Sequence, residues 1–344
     1  MTQDMQQIVL ASRPSGAPTH DNFRLETGAM PTPAEGEILV EVTHMSLDPY
    51  MRGRMDDAKS YAAPVPIGGK MEGGGVGRVL ASNAPGFAEG DHVFGMFGWA
   101  SHATADARMC RKLDPKLAPV TTALGVLGMP GFTGWWGLNA YGRPQEGETL
   151  AVAAATGPVG SMVGQLAKAK GLRAVGIAGG ADKCALATDQ FGFDACIDHR
   201  AYGDVKSLRG ALKEACPKGI DVYFENVGGN VLEACLSLMN PYGRIPVCGM
   251  IAWYNAGALG ADAAGLTGPK IWRTILVNFL SVNGFIISNH WDKYPEFLAE
   301  VAPMIADGRV KYLEDVTEGL ENAPQAFMDL LTGGNQGKAI VKIA

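Results

Sequence analysis

The run Thr149-Leu150-Ala151-Val152-Ala153-Ala154-Ala155-Thr156-Gly157-Pro158-Val159-Gly160 limits what this chain can fold into more than any other stretch. A short apolar segment reads as a buried strand and breaks at small residues. Apolar residues then return at helical spacing at Val159, Val163, Leu166 and Ala167. A strand, a tight glycine turn and a helix in that order aim free backbone N–H groups and the positive end of a helix dipole at a phosphate. The turn reads Ala-x-Gly-x-x-Gly (Ala155, Gly157, Gly160), one substitution from the dinucleotide fingerprint. In a chain with 46 glycines the spacing alone counts for little; the flanking strand and helix give it weight. Gly157 would let the backbone approach a pyrophosphate, and Gly160 would let the helix pack against the strand.

The next strand, Ala174 to Ala178, says which nucleotide to expect. A ribose with a free 2′-hydroxyl usually meets an Asp or Glu about 20 residues past the glycines, whereas a 2′-phosphate calls for a cation. Here the strand ends in Gly179-Gly180-Ala181-Asp182-Lys183, with Lys183 near the start of the following helix. This favours NADPH over NADH. The alternative makes Asp182 a helix-start acid or a ribose partner and Lys183 a solvated surface residue.

The chain has 344 residues, enough for two domains with good cores. Residues 1–125 read as an irregular β-rich domain, with strands near 38–42, 76–80 and 91–95 between turns rich in Gly and Pro. Residues 126–309 alternate short apolar strands with helices, which implies a parallel sheet covered on both faces. Further strands are expected at 195–198, 221–225, 244–248 and 281–287, with helices near 204–216 and 229–239. A last strand at 338–343 should return to the first domain, so that about 310–344 complete it. The fold class expected is α/β, a doubly wound parallel sheet plus a β-rich domain. A net charge of −6 offers no footprint for nucleic acid. The polar start and the absence of a long apolar run argue against a secretory signal or a membrane span, and six scattered cysteines read as reduced thiols. A cytoplasmic enzyme is the expectation.

Several blocks then carry a family resemblance that runs essentially end to end. They are Leu47-Asp48-Pro49-Tyr50-Met51-Arg52-Gly53-Arg54-Met55, Asp57 to Tyr61, Gly128-Met129-Pro130-Gly131-Phe132-Thr133, Ala154 to Gly160, Glu225-Asn226-Val227-Gly228-Gly229, Cys248 to Asn255, and Gly334-Asn335-Gln336-Gly337-Lys338. With these the chain resembles the medium-chain dehydrogenase/reductase superfamily, and within it the zinc-independent prostaglandin, alkenal and curcumin double-bond reductases. The resemblance implies that the doubly wound sheet is a Rossmann domain and the β-rich domain a GroES-like catalytic domain. The resemblance implies that Gly157, Pro158, Val159 and Gly160 cradle the pyrophosphate of NADPH and that Lys183 meets the 2′-phosphate. It implies that Asn226 contacts the ribose or nicotinamide side, that Cys248, Tyr254 and Phe285 border the nicotinamide half, and that Asn335 reaches the diphosphate. Where relatives commonly carry a tyrosine near the adenosine, this chain has Asp198-His199-Arg200. Either His199 and Arg200 take over that end or they form a plain basic loop. Relatives are often homodimers.

Zinc alcohol dehydrogenases share the architecture, but this chain reads Gly69-Lys70-Met71-Glu72 where they carry Gly-His-Glu, and its first domain holds one cysteine, Cys110. No metal is expected. Reducing an activated C=C bond asks only for hydride at the β-carbon, a hydrogen-bond donor at the carbonyl oxygen and a proton for the α-carbon. The resemblance points to Tyr254 for the donor, with Tyr61 as second candidate and Tyr50 as a pocket wall. Trp253 would add apolar lining for an enone or enal, and each tyrosine can also be read as a half-buried packing residue. Arg52 and Arg54 read as structural ion-pair residues. Asn255 to Gly265 is rich in small residues and reads as a flap. Two alternatives stay open: a quinone oxidoreductase, and a non-catalytic NADPH-binding structural or sensor protein.

Overall fold

The computed structural model describes residues 4–58, 60–256 and 268–344. Lys59 and most of the stretch read as a flap lie outside the described residues. By internal contacts the chain divides into two compact units. One comprises the chain up to Gly125, a short segment beginning at Tyr254, and Glu314–Ala344; the other comprises Val126–Trp253 and the chain up to Leu313.

The first unit opens with an antiparallel pair, β1 (Met5–Leu10) and β2 (Phe23–Gly28). Then come β3 (Glu37–Ser46), β4 (Gly75–Ser82), β5 (His92–Gly95), β6 (His102–Asp106) and β7 (Arg111–Leu113). The long β3 is the hub: it pairs antiparallel with β4 and with β6, and its register with β4 shifts twice, which bends the sheet. Ile38, Val40 and Val42 alternate onto the core face and are fully buried. Trp99 anchors this core, stacked on Phe23 at 5.7 Å and edge-on to Phe327 at 5.6 Å.

In the second unit β8 (Thr149–Ala153), β9 (Arg173–Ala178), β10 (Ala195–Asp198), β11 (Ile220–Phe224), β12 (Met239–Val247) and β13 (Ser281–Gly284) form one parallel sheet. Its order is β10-β9-β8-β11-β12-β13, so the direction of winding reverses beside β8, where the glycine turn begins. Helices Pro158–Ala169, Ala181–Asp189, Val205–Ala215 and Gly229–Leu236 make the connections. Two apolar clusters, one holding Val152 and Val163 and the other Ala151, Tyr223 and Leu212, cover the two faces. That double coverage is why these strands read as continuous apolar runs rather than alternating ones.

The expected sixth strand is shorter than the apolar run 281–287, because Phe285 and Ile287 turn into the core and a 3-10 helix begins at Ile287. The helix expected to reach 239 stops at Leu236, since the chain enters β12 at Met239.

The chain returns to the first unit with β14 (Glu314–Glu318) and β15 (Lys338–Lys342). These two pair in parallel, and β15 joins β3 antiparallel, giving the order β14-β15-β3-β4-β5-β7 with β6 alongside β3. The last strand therefore does complete the first unit's sheet.

Candidate active site

The glycine turn has a geometry that could hold a phosphate. Helix Pro158–Ala169 starts at Gly157, and no side chain caps it, so its first-turn N–H groups are not spent on a protein side chain. A Cβ on Gly160 would lie 2.2 Å from the carbonyl oxygen of Ala154, so only glycine lets the helix come this close to β8. A Cβ on Gly157 would meet nothing nearer than 3.4 Å. The fold does not demand glycine at 157, and the space that Gly157 leaves is where an approaching pyrophosphate fits.

At the next strand end three basic side chains converge. Gly179 closes the gap after β9, and a Cβ there would collide with Arg200 Nε at 2.7 Å and His199 Nε2 at 3.2 Å. Burial pulls the His199 imidazole below its ordinary range, and the nearby charges of Arg200 and Lys183 act in the same direction, against Asp198. Asp198 accepts from the backbone N–H of Gly180 (2.8 Å) and of Arg200 (2.9 Å), tying the ends of β9 and β10 together. Asp182 is exposed. Lys183 and Arg200 are the cations of this corner and His199 a neutral imidazole beside them, a set suited to a 2′-phosphate, and the turn and corner together fit NADPH.

A third strand end is organised by a residue that the sequence reading passed over as a mere motif letter. Glu225, 1% exposed, follows β11. Its carboxylate accepts from the N–H groups of Val227 (2.5 Å) and Gly228 (2.8 Å) and from the Tyr223 hydroxyl (3.0 Å). Its main-chain oxygen accepts from Cys248 N (2.9 Å) and Gly249 N (3.2 Å). Burial raises the Glu225 carboxyl above the usual carboxylate range, opposed by those N–H and O–H donors. This hub fixes Asn226, whose side-chain amide donates to Ala153 O at 2.8 Å, bringing the ends of β8, β11 and β12 together. Cys248 lies on this border; burial, then Glu225, pushes its thiol up to about 12, which makes it inert rather than nucleophilic. Trp253 closes over Gly228, where a Cβ would sit 3.0 Å from its ring. The Phe285 ring points into the core instead, against Tyr141 (5.4 Å) and Phe224 (6.4 Å), so only its main chain is free to border a ligand.

In the first unit the other predicted residues gather around a short helix, Tyr50–Arg54. Arg54 lies 4.5 Å from the centroid of the Tyr61 ring and 5.7 Å from that of Tyr50. Burial, followed by the charges of Asp48 and Glu72, holds the Tyr50 hydroxyl well above the ordinary tyrosine range. Beneath it, buried Lys338 donates to Leu47 O (2.5 Å), Asp48 Oδ1 (3.1 Å) and Ala339 O (3.1 Å), and Ser46 donates to Asp48. Tyr61 is 57% exposed. Tyr254 is half-buried in the 3-10 helix Ile251–Ala256. Asn335 donates from its amide to Gly337 O at 2.8 Å, shaping the bend before β15.

Among the described residues no three His, Cys, Asp or Glu side chains converge on a point a metal could occupy. His44, His92 and His102 lie on three different strands, and the Cys110 thiol is pushed up to about 11 by burial, then by Asp106. The described residues thus offer no set of ligands of the kind a zinc ion takes.

The family described as N-terminal domain of oxidoreductase matches residues 6–113, and the family described as zinc-binding dehydrogenase matches residues 158–303. The chain is 49% identical to the NADPH-dependent curcumin reductase of Escherichia coli (strain K12), over 98% of this chain and 96% of that one. It is 37% identical to the NADP(+)-dependent 2-alkenal reductase of Nicotiana tabacum, over 98% of this chain and 97% of the other. The crystal structure of CurA in complex with NADPH from Vibrio vulnificus superposes with a TM-score of 0.93 at 48% identity, covering 98% of this chain and 99% of that one. The chain belongs to the medium-chain dehydrogenase/reductase superfamily, within the branch of the curcumin, alkenal and prostaglandin reductases.

Proposed function

We propose that this protein is an NADPH-dependent reductase of the C=C bond in α,β-unsaturated ketones and aldehydes, working without a metal. The observation that carries the reading is the basic corner of Lys183 and Arg200, with the His199 imidazole beside them, next to an uncapped helix start in a chain 49% identical to a curcumin reductase. NADPH, when bound, supplies the hydride. In this reading Val159 and Gly160 hold the pyrophosphate with main-chain N–H groups, Gly157 leaves room for it, Pro158 starts the helix whose dipole faces it, and Asn335 is a further diphosphate contact. Asn226, Cys248 and the main chain of Phe285 border the nicotinamide half, kept in register by the Glu225 hub.

As the β-carbon of the acceptor is reduced, negative charge gathers on its carbonyl oxygen. A tyrosine hydroxyl, protonated at neutral pH, donates to that oxygen and holds the charge. Tyr254 takes this role in our reading, with Tyr61 second, while Tyr50 and Trp253 line the acceptor pocket. Removing one such donor typically costs a factor of about 10² to 10³ in kcat. Tyr254→Phe is expected to lose that much with the KM for NADPH unchanged, and full activity in Tyr254→Phe would move the role to Tyr61.

The test of the function is NADPH oxidation at 340 nm with a long-chain 2-alkenal, a phenyl-substituted enone, curcumin and a quinone, each repeated with NADH and with products identified by mass. Saturated ketones or aldehydes, with NADPH far preferred, establish the reading. Turnover of the quinone alone would make the protein a quinone oxidoreductase, and tight NADPH binding without turnover would make it a binding protein.

We further propose a homodimer. Strand β13 pairs on one side only, and exposed Trp272, Leu276, Val277, Phe279 and Val282 lie on it or just before it. Light scattering on the purified chain checks this. Among the described residues no helix is long and apolar enough to cross a membrane. Six free thiols support a cytoplasmic location.

A further inference from the structure

Arg54 does more than the structural ion pair expected of it. Its side chain is 5% exposed, yet its guanidinium reaches four different partners in the first unit. One nitrogen donates to Ala62 O at 3.1 Å, and Nε lies 3.3 Å from Glu72 Oε2. The planar charge sits 4.5 Å from the Tyr61 ring centroid and 5.7 Å from that of Tyr50. The Arg54 main-chain oxygen also accepts from Val65 N at 2.8 Å, closing the far end of the same segment. Neighbouring Arg52 differs: it binds Asp56 (2.6 Å) and Gly16 O (2.8 Å) and stacks on neither tyrosine.

An exposed tyrosine on a chain segment outside any helix or strand ordinarily exchanges rotamers freely. Tyr61 is such a residue, but its ring lies against a buried cation that is itself held by a carboxylate and a carbonyl. The guanidinium plane suits this role, because it can stack on aromatic faces and donate in its own plane at once, which an ammonium cannot.

We infer that Arg54 is a positioning residue for acceptor selection: it clasps Tyr61 and Tyr50 into one rigid aromatic wall, and that wall favours bulky or aromatic enones over short enals. The inference rests on the enone-reductase reading. A large acceptor gains from a fixed wall because it touches the wall, whereas a short enal does not extend to it. Loosening the clasp therefore penalises large acceptors selectively and leaves the cofactor untouched.

The experiment compares kcat/KM for a phenyl-substituted enone and for a short 2-alkenal in wild type, Arg54→Met, Arg54→Lys, Tyr61→Ala and the double variant Arg54→Met/Tyr61→Ala. Arg54→Met should lose roughly 10-fold or more with the phenyl enone and under about 3-fold with the short enal, with KM for NADPH unchanged. Arg54→Lys should fall between, keeping charge without the planar stack. It also carries the test if Arg54→Met fails to fold. Because Arg54 acts in part through Tyr61, the double variant should lose clearly less than the product of the two single losses, the remainder passing through Tyr50.

Equal losses for both acceptors, additive losses in the double variant, or a raised KM for NADPH would each overturn the clasp. A wild-type protein that reduces the enones while the ratio stays unmoved in Arg54→Met and Arg54→Lys removes the clasp alone. A wild-type protein that reduces no enone removes the parent reading with it.

Discussion

The two units organise their candidate residues with different materials. In the second, main chain does most of this: an uncapped helix start, glycines at 160, 179 and 228 where a Cβ would intrude, and a carboxylate that pins strand ends by accepting their N–H groups, with side chains added at the Lys183, His199 and Arg200 corner. In the first it is built from side chains, with Tyr50, Arg54, Tyr61, Glu72 and Lys338 converging from distant parts of the sequence. A main-chain site tolerates few designs, because backbone geometry is shared by all sequences. A side-chain site can be redesigned one residue at a time. That contrast matches what such an enzyme needs, an invariant cofactor and a variable acceptor.

The sharpest way to break the contrast is to attack the first unit's buried pair. Lys338 is 2% exposed, and its ammonium is held below the usual lysine range by burial, partly offset by Asp48. Lys338→Met should leave Asp48 uncompensated and cost about 3–5 kcal/mol in urea unfolding. Lys338→Met/Asp48→Leu should recover much of that, since both charges are then gone. If the single variant is neutral, the first unit does not depend on side-chain pairing as described.

Next in size is Gly160→Val, whose Cβ would overlap Ala154 O and should destabilise by about 3 kcal/mol. Lys183→Ala should weaken NADPH by about 10-fold, the scale of one charged hydrogen bond, while leaving the KM for NADH alone. The smallest change in stability belongs to Gly157→Ala. It should keep the melting temperature within a degree or two yet raise the Kd for NADPH. If Gly157→Ala binds NADPH as wild type does, the turn is a fold element rather than a cradle.

The same contrast explains what could be read in advance. Strands β8 to β11 and the turn at Gly157 and Gly160 were legible within a residue or two, because they depend on local patterns of apolar residues and glycine. The roles of Arg54 and Glu225 were not. An arginine in a Met-Arg-Gly-Arg-Met block gives no sign that it stacks on a tyrosine seven residues ahead. A glutamate at the end of a strand gives no sign that it accepts three hydrogen bonds in the core. Such roles depend on where loops end, and no periodicity records that. His199 and Arg200 were an open alternative for the same reason, and the absence of a side chain at Gly179 is what lets them meet Lys183. Phe285 illustrates a further case: an apolar run marks it as part of a strand end, but not that its ring packs on Tyr141 and Phe224.

Strand β15 pairs with β3, and Lys338 contacts a residue 290 positions earlier in the chain. During synthesis on the ribosome, β3 is therefore made long before its neighbour exists, while the parallel sheet of the second unit can close as soon as β13 emerges. The first part made is among the last to be finished. Until then the His44–Ser46 end of β3, beyond its pairing with β6, lacks a neighbour, and removal of the final strand should yield aggregated rather than merely less active protein.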